Sequence, residues 1–187
     1  MSAVVNAVGG ATTSEQRQAP LPERTAGLAL VDVPDVFRVD VADVVASAVE
    51  LLSATRRLRG VQVSLELPED PVPAHVSHRR LQQVVLLLVA HAADAVDGQG
   101  ARVVVDSADD FGDLPPRFQV QTPGVQLSAR ELQAVSLSPM LVGPLHRKLA
   151  RARELTEAIG GTLTVASDAA RGLTVTVELP APGMSSW

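Results

Sequence analysis

The spacing of apolar residues divides the chain into segments with helical and with strand periodicity. Apolar positions recur every three or four residues, as they do on one face of a helix, in residues 39–60, 78–96 and 145–159. Alternating or short apolar runs typical of strands occupy residues 61–67, two stretches within 101–121, residues 162–167 and residues 173–179. The pattern predicts an α+β domain, a two-layer sandwich in which a mixed β-sheet is covered on one face by about three helices.

Capping residues predict where these helices begin and end. Asp40 and Ser77 carry short polar side chains that suit the N-caps of the first two helices. Gly60 is predicted to follow the first helix, and Gly160 and Gly161 the third, because glycine readily adopts the backbone conformation that ends a helix.

Polar segments rich in proline or glycine are predicted to lie outside the regular elements. Residues 1–36 are predicted to be a flexible arm and residues 182–187 a tail, on either side of a domain at 37–181. The arm contains an apolar island, AGLALVDVPDVF, which suits an edge strand, a docking motif or a segment packed on its own domain. Residues 67–77 (LPEDPVPAHVS) are predicted to be a loop, and residues 127–144 suit either a short helix or a loop.

One helix is apolar on almost every side. In LQQVVLLLVAHAADAV, residues 81–96, the stretch from Val84 to Ala90 has no polar face, which predicts that protein covers both sides. Leu87 and His91 lie four positions apart and therefore on the same face. What lies against that face is the central question for function.

Composition excludes several classes of function. The 187 residues carry a net charge of −5 without a long basic block, which argues against nucleic-acid binding. There is no cysteine and the four histidines lack ligand spacing, so no metal site is expected. Neither a transmembrane run nor a signal peptide is evident, and a cytoplasmic protein without membrane contact is expected.

Three stretches resemble the motifs of a known family. LQQVVLLLVAHAADAV is close to L-x-Q-V-L-x-N-L-x-x-N-A-x-x-A, and TPGV, residues 122–125, resembles the end of D-N-G-P-G-I. Residues 152–180 (ARELTEAIGGTLTVASDAARGLTVTVELP) match a helix, Gly-Gly, a strand, a glycine-containing turn and a last strand ending in L-P. On these matches, residues 37–180 resemble the ATP-binding catalytic domain of sensor histidine kinases, a GHKL ATPase domain of the Bergerat fold that gyrase, Hsp90 chaperones and MutL share.

The first family motif has lost its nucleotide-facing asparagines. In the family one asparagine holds magnesium and the other helps with the phosphates, and the matching positions here are Leu87 and His91. Leu87 has no polar atom, and the imidazole of His91 is a poor ligand for magnesium, which prefers oxygen.

The second family motif has changed at its adenine-binding end. The aspartate that accepts the adenine amino group corresponds to Val120, and the asparagine and glycine that follow correspond to Gln121 and Thr122, whereas Gly124 is kept. The resemblance therefore implies that the adenine has lost its hydrogen-bond acceptor.

The third family motif, a G-x-G-x-G run that approaches the phosphates, corresponds to GPLHRK, from Gly143 to Lys148. A single glycine remains, and Pro144 has no N–H to donate to a phosphate. Together the three departures predict that no nucleotide, cofactor or metal ion binds. They also predict that side chains of residues 81–96 and 125–145 fill the former pocket.

Individual polar residues admit two interpretations each. His91, with Asp94 three residues on, suits either a phospho-accepting or proton-transferring role or a buried, hydrogen-bonded histidine. The acidic turn SADDFGD suits a solvated hairpin tip better than a calcium site. The basic positions of the last helix suit either an acidic partner or solvent, and the partner-binding candidates among them are Arg147, Lys148 and Arg151.

The sequence thus predicts a regulatory protein resembling a pseudokinase, derived from two-component signalling and acting through a protein partner such as a response regulator, a kinase or another signalling protein. No catalytic residues can be assembled, so the absence of enzymatic activity is favoured, although activity is not settled. Two alternatives remain: a divergent ATP-binding protein kinase of the histidine-kinase or anti-sigma type, and a histidine phosphotransfer protein that uses His91 or His146. Residues 1–36 are too short and too rich in Pro and Gly to supply the family's dimerisation hairpin, and the oligomeric state is not predicted.

Overall fold

The computed structural model describes residues 36–96, 100–106, 114–137, 140 and 142–180. Within these ranges the chain forms seven strands and four α-helices. In chain order they are β1 (Phe37–Asp40), α1 (Val41–Ala54), β2 (Val63–Glu66), β3 (Pro73–Val76), α2 (His78–Ala95), β4 (Ala101–Asp106), β5 (Arg117–Thr122), α3 (Ala129–Leu137), α4 (Arg147–Ala158), β6 (Thr162–Asp168) and β7 (Gly172–Glu178).

The main sheet has five strands in the order β2-β4-β5-β7-β6, in which β2 and β4 are parallel and the other pairs antiparallel. Alternate residues of its strands are buried, as in Val103, Phe118 and Val175, while their neighbours are more exposed. This alternation places one face against the core and the other toward solvent. The sequence-based prediction of a mixed sheet with one covered face is confirmed.

Helices α1, α2 and α4 form the second layer. Helix α2 packs against both α1 and α4, and buried residues such as Val45, Leu88 and Leu149 belong to one core. The predicted N-caps are confirmed: Asp40 Oδ1 accepts hydrogen bonds from the N–H groups of Ala42 and Val72, and Ser77 Oγ accepts one from the N–H of Arg80.

Two parts of the predicted order were wrong. The segment 67–77, predicted to be a loop, contains β3, which pairs antiparallel with the unpredicted strand β1 in a separate two-stranded sheet. Helix α1 ends at Ala54 rather than at Gly60, because Arg56 adopts φ of 57° and turns the backbone away from the helical path.

The ambiguous segment 127–144 contains α3. Ser128 and Glu131 form a capping box: Ser128 Oγ accepts from the Glu131 N–H, while Glu131 Oε2 accepts from the Ser128 N–H at 2.8 Å. A single 3-10 turn, Pro144–His146, then leads into α4. The predicted helix at 145–159 is therefore correct apart from its first turn.

The arm and its apolar island up to residue 35, the acidic turn at 107–113 and the tail from residue 181 lie outside the described residues. Among the helices that the structure describes, none is long and apolar enough to cross a membrane.

Candidate functional site

The face of α2 that carries Leu87 and His91 looks toward α3 and the start of α4. His91 is 1% exposed, whereas Leu86 and Leu87 are only partly buried against the core. The prediction that protein covers both sides of this helix is therefore correct at His91 and incomplete at Leu87.

His91 is buried against a second imidazole. Its Nε2 lies 3.1 Å from Nδ1 of His146, which is the last residue of the 3-10 turn and is 6% exposed. The two rings are tilted by 50°, with their centroids 5.4 Å apart. This contact, which joins residues 55 positions apart, fills the space beside α2 with protein.

The second ring of this pair leads to a carboxylate. His146 Nε2 lies 3.5 Å from Oε1 of Glu131, the residue whose other oxygen accepts from Ser128 in the capping box. If Nε2 of His146 carries the hydrogen and faces the carboxylate, its Nδ1 is free to accept from His91 Nε2–H. That tautomer gives both nitrogens of His146 a partner.

The surroundings of His91 and of Glu131 lower the pKa values of both side chains. Burial, together with His146 and Lys148, lowers the pKa of His91 from 6.5 to about 4, although Asp94 acts in the opposite direction. Hydrogen bonds from the Ser128 hydroxyl and N–H lower the pKa of Glu131. At neutral pH His91 is therefore a neutral hydrogen-bond donor, and Glu131, on the far side of His146, is ionised.

Asp94 does not orient the ring of His91 through a hydrogen bond. Its carboxylate forms an ion pair with Lys148, across the interface between α2 and α4. Both side chains are nearly half exposed, so the pair contributes little to stability beyond fixing the two helices. Lys148, which occupies a glycine position of the resembled motif, is thus held by a carboxylate of its own chain.

The adenine-side positions lie in and just after β5. Val120 is 2% exposed and Thr122 is 1% exposed, and both belong to the covered face of the sheet. The TPGV segment forms a type II turn, because Gly124 has φ of 78° and the Val125 N–H bonds to the Thr122 carbonyl at 3.3 Å. The buried valine presents no polar atom in place of a carboxylate.

The GPLHRK segment does not form a phosphate nest. Gly143 precedes the 3-10 turn, Pro144 offers no N–H, and His146 donates its backbone N–H to the Gly143 carbonyl at 3.1 Å. Beside it an open cavity of about 160 Å³ remains, lined by Arg130, Glu131, Ala134, Val142, Gly143 and His146. The prediction that residues 125–145 fill the former pocket therefore holds in part, because His146 fills it from just beyond that segment.

An ATP–magnesium complex does not fit these residues. The two positions that would supply oxygen ligands hold a leucine and a histidine whose Nε2 is already paired with His146. In the described part of the chain, no three His, Asp or Glu side chains are grouped so that they could hold a metal ion. No catalytic step through a nucleotide can be derived from this arrangement.

The partner-binding candidates on α4 are largely neutralised. Arg151 forms an ion pair with Glu154, as Lys148 does with Asp94, while Arg147 is exposed. Arg153 pairs with Glu157 and donates to the carbonyl oxygens of Val135 and Ser136. The helix that the sequence singled out as basic is therefore mostly an internally paired surface.

No pattern in the sequence indicates the contact between His91 and His146, because only the tertiary fold brings these residues together. The sequence also contains a second basic cluster, which was not among the predicted site residues. Residues 75–80 read HVSHRR, and four of these six side chains are basic or imidazole groups. Their spacing in one short segment was the available signal.

The layered arrangement of α1, α2 and α4 on a five-stranded mixed sheet is the fold of histidine kinase catalytic domains of known structure. The chain is similar to the mycobacterial sensor histidine kinase MprB, with 18% identity over 79% of this chain and 99% of that chain, and a TM-score of 0.63.

Two further solved structures show the same fold. The nucleotide-free catalytic domain of histidine kinase ThkA is 16% identical, with 78% of this chain and 96% of that chain covered and a TM-score of 0.62. The ATP-binding domain of PrrB from Mycobacterium tuberculosis is 19% identical, with 80% and 99% covered and a TM-score of 0.60. The sequence matches no known family profile and no curated protein sequence.

Proposed function

We propose that this protein is a histidine-kinase-like regulatory domain that does not bind ATP–magnesium and acts through contact with a protein partner. The observation that carries the proposal is the hydrogen-bonded pair of His91 and His146, buried at a position where the resembled family has one of its two nucleotide-facing asparagines. A magnesium ion there would displace the hydrogen bond between the two rings and gain no oxygen ligand from either.

The adenine side supports the same conclusion. Val120 is buried and apolar, so an adenine amino group placed against it would lose its bonds to water without gaining an acceptor. The loss of one donor partner costs about 1 to 3 kcal/mol, which is a substantial part of the binding energy of a weak nucleotide site.

The phosphotransfer alternative is disfavoured by burial. A phospho-accepting histidine must reach a donor, yet His91 and His146 are 1% and 6% exposed and bond to each other. Phosphorylation of either ring would separate the pair.

Differential melting tests the proposal. A ligand with a dissociation constant of about 1 mM, added at about 5 mM, stabilises a folded protein by about 1 kcal/mol. We expect the same melting temperature with ATP–magnesium as with magnesium sulfate at matched ionic strength. A dose-dependent rise with ATP–magnesium, absent with the sulfate control, would contradict the proposal and support the divergent-kinase alternative.

A further inference from the structure

A cluster of basic side chains lies where β1, β3 and the start of α2 meet. We define the basic patch as Arg38, His75, His78, Arg79 and Arg80. Arg38 and His75 are directly opposite each other in the β1–β3 pair, and the other three form the first turn of α2. All five side chains are exposed.

The basic patch contrasts with the paired charges of the domain. Several other arginines, and Lys148, face carboxylates of the same chain, as in the pairs of Arg102 with Glu66 and of Arg117 with Asp106. In the patch, none of the five side chains forms a hydrogen bond or an ion pair with another residue of the described ranges.

The nearest carboxylates along the strands either accept backbone hydrogen bonds or lie at the end of the β1–β3 pair away from α2. Asp40 uses Oδ1 to accept two backbone N–H groups. Glu69 and Asp70 precede the end of β3 that pairs with Asp40, whereas α2 follows the opposite end. The charges are therefore separated along this small sheet.

Phe37 is 58% exposed and pairs with Val76 at the end of the strands next to α2. Because side chains alternate along a strand, its ring lies on the face of the β1–β3 pair opposite Arg38 and His75. The basic patch is therefore a polar surface, which suits a ligand that carries carboxylates.

We propose that the basic patch binds a short acidic segment of a partner protein. The inference rests on the proposed function, because it names the chemistry of the protein partner. The patch spans one four-residue strand and one helical turn, on the order of 10 Å, which corresponds to about three or four extended residues of a partner.

The small patch and the overall charge favour a protein segment over polyanionic surfaces. The net charge of −5 repels nucleic acid or an anionic bilayer at long range, whereas a short acidic segment interacts mainly with the patch itself. The arginines of the patch do not form the extended groove that a nucleic acid would occupy. Phe37 does not form the long apolar ridge that would enter a bilayer.

The test uses fluorescence anisotropy with the full chain and a fluorescein-labelled peptide of about ten residues, rich in glutamate and with an interior leucine. The test variant is Arg38→Glu, Arg79→Glu and Arg80→Glu together. We expect its dissociation constant to rise at least about tenfold relative to the unmodified chain.

The chain offers a matched control at the opposite end of the helices. Arg56, Arg57 and Arg59 are exposed and follow α1, and their reversal to glutamate changes the net charge by the same amount. Because β2 and β4 are parallel and start together, the C-terminal ends of α1 and α2 lie at the same end of the layer. The control arginines are therefore about one helix length, on the order of 20 Å, from the patch.

The control triple variant should change peptide affinity by less than about twofold. Equal losses in both triple variants, or no binding by the unmodified chain, would overturn the proposal. So would binding to phosphatidylserine vesicles or to a single-stranded oligonucleotide that is stronger than peptide binding and depends on the patch. An increase in peptide affinity on Asp32→Asn and Asp35→Asn would also overturn it, since the patch would then hold the chain's own acidic residues. None of these results bears on nucleotide binding, so this inference and the proposed function fail separately.

Discussion

At the scale of single residues, the lowered pKa of buried His91 makes the free energy of unfolding depend on pH. Unfolded imidazole binds a proton near pH 6.5, but His91 in the folded chain stays neutral down to about pH 4. Between these values the unfolded state binds more protons, so stability is full above pH 6.5 and falls as the pH decreases.

We expect the free energy of unfolding to fall by about 2 kcal/mol between pH 7 and pH 5 from this residue, measured by urea denaturation. His91→Leu should flatten the dependence, while the exposed His75→Gln should leave it unchanged. A profile identical in His91→Leu and the unmodified chain would show that His91 is not buried as a neutral donor.

A second residue-scale prediction concerns Leu87. Because this side chain is only partly buried, Leu87→Asn should destabilise the domain by about 1 to 2 kcal/mol and should not create nucleotide binding. The neighbouring Leu88 is 1% exposed, and Leu88→Asn should cost at least about 3 kcal/mol. Thermal melts of both variants check the ranking, and equal costs would mean that the face of α2 at Leu87 is closed to water.

At the scale of elements, the β6–β7 hairpin approaches the turn after β5 very closely. Gly172 has φ of +77°, and a Cβ built on it would lie 2.4 Å from the Thr122 carbonyl oxygen and 2.9 Å from the Gly124 nitrogen. The turn that resembles part of a nucleotide motif is therefore held in place by backbone contact with the neighbouring strand.

Gly172→Ala should be strongly destabilising, because it adds both an unfavourable backbone conformation and a clash with backbone atoms. Gly60→Ala is the matched control, since Gly60 has φ of +78° but nothing within 4 Å of an added Cβ. We expect the Gly172 variant to lose at least about 2 kcal/mol more than the control, by chemical denaturation. Similar losses of stability in the two variants would indicate that the turn after β5 moves away from the added Cβ without an energetic penalty.

The sequence predicted elements well where a long periodic run or a strong cap defined them. Helix α2 and its Ser77 cap are confirmed because eighteen residues repeat one pattern. Strand β3 was missed because prolines surround a four-residue strand whose partner, β1, lies more than thirty positions earlier. The capping box of α3 was present in the sequence at Ser128 and Glu131, but exposed positions around it weakened the helical pattern.

The site was less predictable than the fold. The sequence identified the positions that differ from the resembled motifs, including Leu87 and Val120, but not the group that takes their place. His146 reaches His91 only because a 3-10 turn begins α4 at that point, and the periodicity had placed this residue within a regular helix. The ion pairs were equally unpredictable from the sequence, because Asp94, whose carboxylate pairs with Lys148, lies 54 positions away.

At the scale of the whole molecule, the domain has the layers of a histidine kinase catalytic domain. Polar side chains at and near the positions of the resembled motifs contact one another, as His91 contacts His146 and Lys148 contacts Asp94. One cluster of buried apolar residues extends from α1 through α2 and α4 to the sheet. Exposed cationic groups without a carboxylate partner lie at the surface, among them those of the basic patch at the N-terminal end of α2.

Isothermal titration calorimetry of the full chain with ATP–magnesium tests the central claim most directly. At protein concentrations that detect weak binding, we expect only the heat of dilution up to millimolar nucleotide, with and without the Leu87→Asn substitution. A saturable heat with a dissociation constant below about 1 mM, equivalent to roughly −4 kcal/mol, would show that the domain still binds nucleotide and would contradict the claim.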